Sequence, residues 1–154
     1  MVQNAGIYAW QLLEDTSPDD WDRVMAVNLR GCFIAARAAL VPSSAILDRN
    51  QRPVPSPSIV LGESQVVDEG TSFERTHTRV YHTAHVWKRE TSLEGVKAIC
   101  GAIRTAVHSG RLALDAGFHA ADAKVAMIRT MRDPDGESSH GVVTIEVLVA
   151  EVPA

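Results

Sequence analysis

Histidine, carboxylate, cysteine and tryptophan side chains are where this chain could carry chemistry, and their spacing limits what that chemistry could be. Six histidines occur in 154 residues. The closest pair, His82 and His85, lies in a segment of alternating character. On a strand, a separation of three sends the two rings to opposite faces, so they cannot chelate one ion together. They read as solvated or hydrogen-bonded strand positions. Asp133 and Asp135 begin like a calcium loop, but the ligand pattern does not continue to a Glu in register, and with Pro134 and Gly136 they read as a turn. Cys32 and Cys100 each stand alone among apolar neighbours, which is the usage of a reducing compartment and not a metal motif. Neither GxGxxG nor GxxxxGK[ST] is present to cradle phosphate, and GxSxG and HExxH are also missing. Trp87, followed by Lys88, Arg89 and Glu90, has two readings: an aromatic interface anchor inside a charged rim, or a half-buried sheet residue. The candidate interface set is Tyr81, His85, Trp87 and Arg89. No residue is assigned a catalytic, cofactor-binding or metal-binding role.

These side chains need elements to hold them. Residues 77–88 alternate so that Val80, His82, Ala84 and Val86 share one face, while Arg79, Tyr81, Thr83, His85 and Trp87 share the other; this period-two pattern predicts a strand. Thr91 and Glu94 have the spacing of a capping box. They precede a stripe of Leu93, Val96, Ile99 or Cys100, Ile103 and Val107 that predicts a helix ending near Gly110. Strands are expected at about 124–132 and 141–151, joined by Asp133-Pro134-Asp135-Gly136, in which Pro sets the turn dihedral and Gly accepts positive φ. A short strand is expected from Ser58 to Leu61, ending at Gly62, with a polar loop through Glu74. Upstream, Ser17 as N-cap, Pro18, Asp19 and Asp20 open a helix to about Leu40, with Trp21, Met25, Leu29 and Ala36 on its apolar stripe. Between these halves, Pro42, Pro53, Pro55 and Pro57 forbid continuous helix and suggest a linker or extended arm. The expected class is α+β: a mixed or antiparallel sheet of about four strands with one packed helix, preceded by an amphipathic N-terminal helix.

Composition is that of a globular chain, 45% hydrophobic and 22% charged. A formal charge of −4 with no basic patch argues against a specific nucleic-acid partner. No signal peptide or apolar run of membrane-spanning length is read, so no membrane partner is expected and the protein is expected to be cytoplasmic when made.

Two family resemblances follow from particular residues. Asn4-Ala5-Gly6, then Ser17-Pro18-Asp19-Asp20-Trp21-Asp22-Arg23-Val24-Met25-Ala26-Val27-Asn28-Leu29-Arg30-Gly31, resembles a middle segment of short-chain dehydrogenases/reductases over about residues 3–40. In that family the NAG turn supports the cofactor site and the Asn matching Asn28 belongs to the catalytic tetrad. The glycine-rich cofactor loop and the YxxxK pair are not found, since Tyr81 is followed four positions later by His85. Without them the dinucleotide has no seat and the proton transfer no agent, so no cofactor is expected.

From about Pro42 onward, Ile46-Leu47-Asp48-Arg49-Asn50, Pro57-Ser58-Ile59-Val60-Leu61-Gly62-Glu63, His85-Val86-Trp87-Lys88-Arg89-Glu90, Arg132-Asp133-Pro134-Asp135-Gly136 and His140-Gly141-Val142 succeed one another. This order is similar to that of phage tail-completion proteins, or tail terminators, found in siphophages, prophages and gene transfer agents. The resemblance implies a non-enzymatic structural protein of the virion tail, assembled from the cytoplasm. Its copies would form a homo-oligomeric ring, generally a hexamer, on the finished tail tube, with the tail tube protein and the head–tail connector protein as partners. The chain thus divides into residues 1–41, a dehydrogenase-like helical fragment, and residues 42–154, a tail-completion-like α+β domain. A gene fusion or an upstream start would account for the pairing, and a truncated, inactive NAD(P)-dependent dehydrogenase is the competing reading.

Overall fold

The computed structural model describes residues 41–47, 54–70, 76–110, 112, 114 and 117–151. The helix expected over residues 17–40 lies outside them. Five strands, β1 (Ile46–Leu47), β2 (Ser58–Asp68), β3 (His77–Arg89), β4 (Phe118–Arg132) and β5 (Ser138–Glu151), form one sheet in the order β1-β2-β3-β5-β4. β1 runs parallel to β2, and every other pairing is antiparallel. One helix, α1 (Glu94–His108), packs on one face. The α+β class with a mixed sheet and one packed helix therefore holds for the described residues.

β3 is the central strand of the five, and its alternation is the one read from sequence: Val80, His82, Ala84 and Val86 are buried. The register carries that face across to Ile145, Val143 and Gly141 of β5 and to Ile59 of β2. Val96, Ile99, Cys100, Ile103 and Val107 of α1 close over it. Fully burying a Val or Ile side chain contributes about 1.5–3 kcal/mol, so this seam is the main source of stability in the unit. A side chain at Gly141 would place its Cβ 2.6 Å from Cys100 Sγ and 3.1 Å from Val96 Cγ2. The bare backbone at Gly141 thus lets the helix pack close against the sheet.

Several expectations are corrected. The described sheet has five strands, not about four: the described part of the Pro/Ser segment holds a 3-10 turn over Ser43–Ala45 and the two-residue β1, which aligns on Ile59 and Val60. β2 does not end at Gly62. A bulge between Leu61 and Ser64 absorbs Gly62 and Glu63, and the strand continues to Asp68, so residues 63–68 of the run read as loop are strand. β4 and β5 also start earlier than expected, at Phe118 and Ser138.

The capping box is not formed either, because Glu90 reaches the helix first. Its carboxylate accepts from the amides of Gly95 (3.0 Å) and Val96 (2.8 Å), and Lys88 Nζ holds it at 3.1 Å. Burial pushes the Glu90 carboxyl up, but the hydrogen bonds from Val96, Lys88 and Gly95 outweigh this and hold it below the usual carboxylate range. An anion at the positive end of the helix dipole does the work of a cap. At the other end, the amide of Val125 donates to His108 Nε2 at 3.1 Å, which ties the last turn to β4. The hairpin turn matches its expectation: Gly136 has φ 73°, and Asp135 Oδ1 accepts from the amides of Glu137 and Ser138, each at 2.8 Å.

One polar ring lies inside the seam. His82 is 3% exposed; its Nδ1 contacts Ser64 Oγ and its Nε2 has no partner. Burial pushes the His82 imidazole down to about 4. The unfolded chain therefore takes up a proton near 6.5 that the folded chain refuses until about 4, and stability must fall as pH drops through that window. The loss amounts to about 3 kcal/mol by pH 4. Urea melts from pH 7 to pH 4 should show this slope, and His82→Leu should flatten that part of it. Gly141→Ala should cost about 1–3 kcal/mol from overpacking. Adding Cys100→Ala to Gly141→Ala should return part of the loss in the same urea assay.

Candidate functional site

With α1 on one face, the other face of the sheet carries Tyr81, His85, Trp87 and Arg89. All four are on the same side of β3, at even spacings along the strand as the alternation requires. Tyr81, His85 and Trp87 are half-buried and Arg89 is exposed. Arg89 sits at the end of the strand, where its amide donates to Ser56 Oγ at 2.9 Å.

His85 and Trp87 are joined by a residue that spacing along one strand does not bring to notice. Trp87 pairs across the sheet with His140, and the two rings stack with centroids 3.9 Å apart and planes 5° from parallel. His140 Nε2 lies 3.0 Å from Nδ1 of His85, one of the two carrying the shared proton. The three rings thus form one continuous aromatic plate across β3 and β5. The β2 bulge makes room for it: a Cβ at Gly62 would fall 2.9 Å from the His85 ring. The adjacent carboxylate of Glu63, 81% exposed, comes within 4.0 Å of His85 Nε2. Burial and the neighbouring His85 push the His140 imidazole below its ordinary value, more than Asp133 raises it. A neutral His140 lying flat on the indole is the result.

The opposite end of this face is charged. Glu146, 8% exposed, accepts from Arg79 and from Lys124 Nζ (3.1 Å), and Arg79 also binds Glu69. The Arg79 hydrogen bond holds the Glu69 carboxyl below the usual carboxylate range, and Glu69 and Glu146 together raise the Arg79 guanidinium. Each strand from β3 to β5 to β4 contributes one member, so the network fixes the tilt of the sheet at that end. Sequence spacing gave no sign of it because its partners, 10 to 67 positions apart in the chain, meet only in three dimensions, across β3–β5 and β4–β5.

These groups line one face of the sheet as rings at one end and ion pairs at the other. Two hydroxyl–imidazole pairs occur among the described residues: Ser64 with His82, whose ring is buried, and Thr76 with His77 at 3.2 Å. His82 and His85 lie on opposite faces, as expected from their spacing. Among the described residues, no group of three His, Cys, Asp or Glu side chains could hold a metal ion. No helix among them is long and apolar enough to cross a membrane. By contrast, stacked aromatic rings with an apolar plate and charged rim are what a protein partner's surface can cover.

Comparison with known proteins bears on the whole unit. The family described as "Tail completion protein gp17" matches residues 28–150, most of the chain and all of the sheet but its last residue. A chain from the virion of a native gene transfer agent particle is similar in structure, with a TM-score of 0.61, 15% sequence identity, and coverage of 87% of this chain and 99% of that one. At that identity the likeness is one of fold. Shorter likenesses run to dehydrogenases. Cyclopentanol dehydrogenase of Comamonas testosteroni is 40% identical over 42 residues, 27% of this chain and 17% of the enzyme. 2-(S)-Hydroxypropyl-CoM dehydrogenase 3 of Xanthobacter autotrophicus is 41% identical over 51 residues, 33% of this chain and 19% of the enzyme. The chain therefore spans less than a fifth of the length of these curated relatives.

The stack has an optical signature. With Trp10 and Trp21 replaced by Phe, the fluorescence of Trp87 should be quenched as His140 gains its proton, with a midpoint below 6.5. His140→Gln should remove that step while leaving the fold's circular dichroism unchanged.

Proposed function

We propose, because the chain belongs to the tail completion protein gp17 family, that its copies close into a ring, six being the count the family resemblance implies, on the end of a phage, prophage or gene transfer agent tail. The ring stops tube growth and offers a surface to the head–tail connector. The observation that carries this reading is the family match across the sheet and helix together. The fold likeness to a gene transfer agent virion chain supports it. So does the asymmetry of the sheet: α1 seals one face, and the other keeps the Trp87–His140–His85 plate between charged ends. Tyr81, His85, Trp87 and Arg89, with His140, form the contact surface in this reading. The virion tail is where the protein acts, after synthesis in the cytoplasm.

The tail-completion unit comprises residues 42–154 in this proposal. The family match reaches back to residue 28, into the dehydrogenase-like stretch, so the join is a region and not a point. The short dehydrogenase likenesses favour a second reading, a truncated NAD(P)-dependent reductase. It accounts for a third of the chain at most, and the glycine loop and YxxxK pair it would need are missing from the sequence.

Sedimentation of the purified full-length chain should give a closed oligomer that binds isolated tail tubes at one end. Trp87→Ala should weaken tube binding or ring closure by about tenfold or more, as loss of a central aromatic anchor does. A strict monomer at high concentration that ignores tail tubes would contradict the reading. Titration with millimolar NAD(H) or NADP(H) should give no heat; measurable binding would favour the reductase.

A further inference from the structure

We propose that residues 127–132 on the outer edge of β4 join one copy of the chain to the next, and that they meet the acidic edge of β2, residues 63–68, on the neighbouring copy. The inference rests on the ring reading and names the contact that would close it.

β4 is an edge strand, paired on its inner side with β5 and with no described strand beyond it. Exposed edges normally carry devices that discourage pairing, and the first half of β4 has them. Bulges interrupt it between Ala120 and Asp122 and again between Val125 and Met127, and the Val125 amide is taken by His108. The second half has no bulge, and its charged side chains are the two arginines Arg129 and Arg132. From Met127 to Arg132 the pairing to β5 runs without a shift, and the backbone there presents a regular outer row of donors and acceptors. Its side chains are unusual for an edge facing only water: Met127 is 45% and Ile128 37% exposed, on opposite faces of the strand. Arg129 and Arg132 beside them are exposed, and neither has an ion-pair partner among the described residues.

The other edge of the sheet is complementary. β1 covers only Ile59 and Val60 of β2, so beyond the bulge no described strand lies outside residues 63–68. That stretch carries Glu63 and Asp68 and the exposed Val67, 39% accessible. Direction agrees as well as charge. β2, β3, β5 and β4 alternate in sense, so β2 and β4 run opposite ways. Within one copy, residues 127–132 lie level with 57–62 and not with 63–68, so a second copy in the same orientation, slid about six residues along the strands, would continue the antiparallel pattern with basic apolar edge against acidic apolar edge and β1 clear of the contact. Because the two edges differ, the contact is heterologous, the kind that generates rings. The sheets of successive copies would then form one continuous wall.

The test uses two full-length variants whose changes are all at exposed positions: Arg129→Glu with Arg132→Glu on one edge, and Glu63→Lys with Val67→Lys on the other. Analytical ultracentrifugation should show each variant alone dissociating at concentrations at least about tenfold above wild type. An equimolar mixture should recover wild-type assembly, since each variant's altered edge now opposes the other's. If both variants assemble as well as a ring-forming wild type, or if the mixture does not recover assembly, this contact is overturned and the ring reading stands. If the wild type itself stays monomeric, both fall.

Discussion

Gly141 lets α1 approach the sheet more closely than any side-chain-bearing residue would, and Val96, Ile99, Cys100, Ile103 and Val107 fill the space that this approach defines. Removing that burial would leave a sheet with two wet faces and a helix too short to persist alone. The seam also decides where polar groups can go. His82 is the one ring left inside it, kept neutral by burial. Glu90, placed just before the helix, becomes its cap because the strand delivers it to the helix amides. The same constraint leaves the second face as the place where a half-buried Trp87 and its histidine partners can meet something other than the chain itself.

That second face is not simply uncovered surface. Arg79, Glu69, Glu146 and Lys124 hold one end rigid through ion pairs, and the Trp87–His140–His85 plate holds the other through stacking. A rigid surface loses little freedom when a partner covers it, which is what a repeated structural contact requires. Titratable groups in this plate serve packing first. His140 lies flat on an indole and shares one proton with His85, a geometry that orients the rings, while His85 Nε2 faces Glu63.

How much of this was readable in the sequence follows from what is local. The β3 alternation, the α1 stripe and the Asp133–Gly136 turn depend on neighbours a few residues away, and each took the form its spacing required. The Tyr81, His85, Trp87 and Arg89 face was legible for the same reason. What was not legible depends on register. His140 joins Trp87 only because Trp87 pairs with it across β3–β5, and no periodicity within either strand fixes that pairing. The bulge at Gly62 and Glu63 hid half of β2, since a glycine in a polar run reads as a strand end. Thr91 and Glu94 had the spacing of a cap, but Glu90 occupies the helix amides, a competition that only the path of the chain out of β3 decides.

In the proposed reading, the sealed face and the rigid plate belong to a tail protein that works by being covered. Hydroxyl-radical footprinting of the full-length chain, free and then assembled on isolated tail tubes, measures that covering side chain by side chain. The account predicts that Tyr81, Trp87 and Met127 lose reactivity on assembly, while exposed positions of α1 such as Lys97 and Arg104 keep theirs. Tubes capped by the protein with Tyr81, Trp87 and Met127 as reactive as in the free chain would contradict it.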